Sequence, residues 1–114
     1  MSVHISWFAA RVVLESQHPN DTGGEPLFED RIFLIRAANE DEARSKARSF
    51  GKAAKEQYIN AEGRQVVWVF RELLDVKWIA DETLEDGSEV YSTLLDQSEL
   101  DQLRSALRLQ KLPA

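Results

Sequence analysis

The sequence predicts an α+β fold: a four-stranded, mainly antiparallel sheet, elements in the order β-β-α-β-β-α, with the helices packed on one face. Three observations carry that expectation. Four runs, 6–15, 28–37, 65–79 and 88–95, are rich in aromatic and β-branched residues and read as strands. Two other stretches place their apolar residues on one helical face. The connections hold turn chemistry rather than crossover helices, which makes sequential strands antiparallel neighbours. All 114 residues form one expected domain, with a core over about 6–107 and a loose tail over 108–114.

The first strand, "SWFAARVVLE", is followed by "SQHPNDTGGEP", loop chemistry throughout. The second, "FEDRIFLIRA", pairs back as a long-looped hairpin. Asn39 with Glu42 three residues later forms a capping box that opens a helix through to about 59, and Glu40, Asp41 and Glu42 complement its dipole. Ala43, Ala47, Phe50, Ala54 and Tyr58 share one face, mostly alanine, so this helix can approach a sheet closely. Gly51 costs ~1 kcal/mol relative to Ala in a helix interior and marks a close contact or a kink. "NAEGR" ends the helix, and 65–79 is a long strand. The acidic turn ending in Asp86-Gly87 leads into a fourth strand over 88–95. A short last helix starts at Asp96, with Glu99 three residues later and Leu100, Leu103 and Leu107 on its apolar face.

Composition excludes several chemistries. With no cysteine there is no disulfide, thiolate nucleophile or cysteine zinc site. The start lacks the features of a signal peptide, and no apolar run nears the ~20 residues that span a bilayer. A cytoplasmic protein is the expectation. Net charge is −6, unfavourable for nucleic acid, and its distribution is uneven. Between Lys77 and Arg104 there is no Lys or Arg but eight acids. His4 and His18 have no metal-ligand spacing, so no metal and no cofactor is expected. Gly51-Lys52 is followed by Ala53 where a phosphate loop needs Ser or Thr. Aligning Gly87 with a calcium-loop glycine puts Leu84 and Thr93 at ligand positions.

Neither of the first two strands has a clean polar face. Two helices, one short, are too few for both sides of four strands, so part of a second face is expected to be covered by a homodimer mate, another partner or a small ligand. In "VVWVFRELLDVKWI" every second residue from Val66 to Trp78 is apolar except Glu72. A single β-bulge after Phe70 would bury Asp75 and Lys77 and expel Leu74, Val76 and Trp78. The alternation therefore predicts that the even-numbered face persists. Glu72 then either points into an apolar side with a partner such as Arg11 or Arg36, or reaches water where the strand bends. A structural ion pair and a pocket acid with a raised pKa both fit.

Four segments in order, "WFAARVVLES", "FEDRIFLIRA", "NEDEARSKA" and "FRELLDVKWIADETLEDGSEVYS", resemble a small bacterial domain of unknown function, family 4288 of that series. The matching features are Trp7, Phe8 and Ala9, then Glu29 to Ile32, Asp41 to Ala43, and Asp86 to Ser92. The likeness covers about residues 6–95. It implies one domain, no established activity and no catalytic residues.

The expected function is a non-catalytic protein-interaction module, immunity- or adaptor-like, docking a basic partner on Asp81, Glu82, Glu85, Asp86 and Glu89. The alternative is a ligand-binding protein or small enzyme with a pocket on the second sheet face near Trp7, Arg11, Glu72 and Trp78. A third possibility is a site for an anion or a nucleic-acid backbone on the helix stripe Arg44, Arg48, Lys52 and Lys55, although the solvated side of a packed helix is the favoured reading of that stripe.

Overall fold

In the computed structural model, which describes residues 4–19 and 25–110, the elements are β1 (Ser6–Gln17), β2 (Phe28–Ala37), α1 (Glu40–Ala53), β3 (Glu56–Ile59), β4 (Gln65–Ile79) and α2 (Gln97–Gln110). The sheet order is β2-β1-β4-β3, and every neighbouring pair is antiparallel. The fold is the α+β arrangement that the residue pattern predicts, but two of its elements are not the expected ones. Residues 20–24 of the expected first loop and 111–114 of the expected tail lie outside the described residues, while 108–110 belong to α2.

β1 and β2 pair without interruption from Ser6↔Ala37 to Glu15↔Phe28. Buried Ser16 closes the hairpin, its backbone N–H donating to the Leu27 carbonyl at 2.9 Å and its hydroxyl accepting from Leu27 N at 2.8 Å. Phe8, Ala10, Ile35, Ala37 and Val76 form the core under Ala43 and Ala47 of α1. Asn39 caps α1 as expected, its side chain accepting from Glu42 N at 2.8 Å. The third inward residue is Gly51 rather than Phe50, which is exposed. Gly51 is therefore a close-contact glycine.

α1 stops at Ala53 rather than running to 59, and Glu56–Ile59 pairs with Gln65–Trp68 as a hairpin. The "NAEG" turn, expected to end the helix, makes this hairpin. Asn60 Oδ1 accepts from Glu62 N and Arg64 N, each at 3.0 Å, and Gly63 takes a positive φ of 79°. Such a side-chain turn suits a hairpin, and Tyr58 and Ile59 have strand-favouring side chains. Tyr58 then meets Trp68 across the pair, the indole N–H donating to its hydroxyl at 2.9 Å.

Residues 88–95 form no strand. The Asp86-Gly87 turn closes locally, with Ser88 N donating to the Glu85 carbonyl at 3.0 Å, but the residues before it are irregular. No ladder can therefore propagate from that turn into β4. The helices do not share a face. α1 packs on β1, β2 and β4, whereas α2 packs on none of the other elements.

Candidate functional site

Two bulges in β4 decide which side chains share a face. Opposite Arg11 and Val12 stand Asp75 and Leu73, and opposite Val13 and Leu14 stand Glu72 and Phe70, so Leu74 and Arg71 are extra residues. Each bulge advances the facing by one residue, and two of them restore it. Phe70, Leu73 and Val76 consequently point to the α1 side, and Glu72 points to the other. The uninterrupted even-numbered face is thus corrected: a single bulge would be costly, but a compensating pair is not. Glu72 is exposed opposite Val13, and its side chain has no hydrogen bond or ion pair among the described residues. Glu72→Gln is expected to leave unfolding free energy within about 0.5 kcal/mol of the parent in a denaturant titration.

The two outer strands of the sheet also meet. Arg31 on β2 makes ion pairs with Glu29 and, at 3.0 Å, with Glu56 on β3, joining the two outer strands. Burial lowers the Arg31 pKa, but its hydrogen bonds to Glu29 and Glu56 outweigh that and leave it raised.

The second face is crossed by the chain's own segment 88–95. The Tyr91 hydroxyl donates to Asp75 at 2.9 Å, and Lys77 Nζ donates to the Ser92 carbonyl and lies 4.6 Å from the Tyr91 ring centroid. Arg11 is also held there. Its guanidinium donates to Asp30 at 2.6 Å and sits 5.7 Å from the Tyr91 ring. The hydrogen bond to Asp30, then that to Tyr91, raises its pKa further above the ordinary guanidinium value. Arg11 therefore serves Asp30 and Tyr91 rather than Glu72, and Arg36 lies 5.3 Å from the Trp7 ring.

The four pocket candidates are dispersed. Trp7 lines a depression with Leu34, Arg36 and Phe50. Arg11 lines a cavity of about 540 Å³ with Asp30, Ile32, Tyr91 and, from α2, Glu99 and Leu103. Trp78 lines a third, and Glu72 lines none of those described.

The third cavity, about 240 Å³, lies between the end of β4 and the returning segment 89–92. Asp81 and Glu89 line it together with Trp78 and Val90, which are 62% and 40% exposed. Glu82, Glu85 and Asp86 are exposed nearby in sequence, and Glu82 meets His4 at 3.4 Å. Lys77 also lines the cavity, but its ammonium is committed to Ser92. This end of the sheet joins carboxylates to exposed apolar surface. It can receive a cation through charge and through the face of an indole.

The basic stripe is not one array. Arg44 pairs with Glu40 at 3.0 Å, Arg48 and Lys52 are exposed on α1, and Lys55 lies beyond the helix end. Among the described residues no group of His, Cys, Asp and Glu could hold a metal ion, and no helix is long and apolar enough to cross a membrane.

Comparison with known families gives one result: the model of the domain of unknown function DUF4288 matches residues 7–92. The chain belongs to the DUF4288 family. No curated protein and no solved structure matches it. The DUF4288 region contains the whole of α1, β2, β3 and β4 and nearly all of β1, and it reaches the Tyr91 anchor. α2 lies beyond it. Reading the sequence of this DUF4288 domain missed Asp30, Asp75 and Tyr91. The one available signal was an acid on each strand beside Arg11, and it becomes legible only once the register is known.

Proposed function

We propose that this chain is a cytoplasmic, non-catalytic protein-interaction module that docks a basic partner at the acidic end of its sheet. The observation that carries the reading is the cavity where Asp81 and Glu89 adjoin exposed Trp78 and Val90. Interfaces draw much of their affinity from a few aromatic and charged anchors, and complementary charge speeds encounter. A partner's Arg or Lys entering this cavity meets both. Net charge of −6 disfavours a nucleic acid as that partner, and the cysteine-free composition fits a cytoplasmic setting. A small-ligand role, the alternative, has its best support at the Arg11–Tyr91 cavity and not at Glu72.

The test is affinity capture with the wild type and with the triple variant Glu82→Lys, Glu85→Lys, Glu89→Lys, followed by titration of the retained protein in purified form. The partner is expected to be basic and to bind the variant at least ~10-fold more weakly, with the difference shrinking as salt rises. A partner held equally by both proteins would overturn docking at the acidic end.

A further inference from the structure

We propose that the depression between the outer edge of β2 and α1 binds a small organic carboxylate with an apolar body, held by Arg36. The depression measures about 390 Å³. β2 places Leu34 and Arg36 there, β1 contributes Trp7, and α1 contributes Ser45, Lys46, Ser49 and Phe50. In a chain of net charge −6, this lining holds two cations and no carboxylate. The cavities described at Trp78, at Arg11 and along α2 each include Asp or Glu. The charge that fits between β2 and α1 is therefore negative.

Arg36 is prepared for that charge. It stands directly across from Trp7 in the β1–β2 ladder, and its guanidinium lies 5.3 Å from the indole ring centroid. Stacking takes the flat face of the group and leaves the N–H donors in its plane available. No side-chain hydrogen bond or ion pair among the described residues uses them. Arg11 shows the contrast. Asp30 already neutralises it, so the larger Arg11–Tyr91 cavity suits an uncharged ligand, and the two sites are separate. Lys46 is also committed, donating to the Arg36 carbonyl at 2.7 Å and pairing with Glu42 at 3.2 Å. One cation without a partner matches one negative charge. That selects a carboxylate over a phosphate monoester, which carries about −1.5 to −2. The two oxygens of a carboxylate also fit the guanidinium fork. Ser45 and Ser49 lie one helical turn apart on the same wall, and their hydroxyls make no hydrogen bond among the described residues, so both can donate as well. Leu34 and Phe50, 46% and 52% exposed, supply contact for the apolar body.

Titration of isotope-labelled protein with phenylacetate, followed by NMR, tests this. The Trp7 indole N–H and the Ser45 and Ser49 amides are expected to shift together and to saturate with a millimolar Kd. Phenylacetamide keeps the shape and lacks the charge, and should bind at least ~10-fold more weakly. Phenyl phosphate should bind no more tightly than phenylacetate. Arg36→Gln is expected to weaken phenylacetate at least ~10-fold, and Arg36→Lys, which keeps the charge without the fork, by a smaller factor. Arg36 is exposed, so both variants should melt close to the wild type. Several results overturn the proposal: shifts that do not saturate, equal binding of the amide, a clear preference for phenyl phosphate, or an Arg36→Gln variant that binds as the wild type does. The acidic-end variants do not touch this depression, so this site and the docking reading fail separately.

Discussion

Leu73→Asp is expected to lower the melting temperature by roughly 12 °C or more, and Leu74→Asp by only a few degrees. The two leucines are adjacent, and simple alternation through "VVWVFRELLDVKWI" would reverse the order, placing Leu74 inside and Leu73 outside. The paired bulges put Leu73 opposite Val12 and against the core under α1, while Leu74 is 49% exposed. A carboxylate at 73 loses apolar packing and adds an unpaired charge beside Val76 and Phe33, at a combined cost of about 3 kcal/mol. That is a large share of the ~5–15 kcal/mol that holds a small domain folded. Thermal melts followed by circular dichroism decide it. Equal losses, or a greater loss at 74, would mean that β4 runs without bulges and that Glu72 faces the core.

Gly51→Ala should destabilise the chain by roughly 2 kcal/mol, although alanine is the better helix former by about 1 kcal/mol. A Cβ at this position would lie 2.5 Å from Phe70 Cδ2 and 3.0 Å from Val12 Cγ1. Phe70 is paired with Leu14 and Val12 is fully buried, so neither can yield without disturbing β1. The overpacking therefore outweighs the gain in propensity. Shortening the obstacle should recover part of the loss, so Gly51→Ala with Phe70→Leu is expected to be more stable than the sum of the two single changes predicts. If Gly51→Ala alone stabilises the protein in urea, α1 does not sit this close to the sheet.

Both predictions concern the same seam, where the sequence is informative for one partner and silent about the other. Gly51 stands out within a helical pattern, and the residues point to a close approach there. What it approaches is set by the bulges, and a bulge has no reliable signature of its own. The run from Phe70 to Val76 has the same parity with two bulges as with none, so both ends of β4 look regular. The site shows the same limit. The acidic run 81–89 is evident in the residues, but its meeting with Trp78 and Val90 around a cavity depends on the chain turning back at Gly87.

Local chemistry by itself determined where helices start and which long runs become strands. Asn39 and Asp96 each satisfy free N–H groups a few residues away, and the limits of β2 and β4 follow from side chains that suit a pleated surface. Only the tertiary structure decided that 56–59 leaves the helix to pair with β4, that 88–95 crosses the second face as a strap anchored by Tyr91, and that Arg11 takes Asp30 as its partner. Each of these depends on groups distant in sequence meeting at a particular register. That register is chosen by the packing of the whole sheet against α1, which no local window contains.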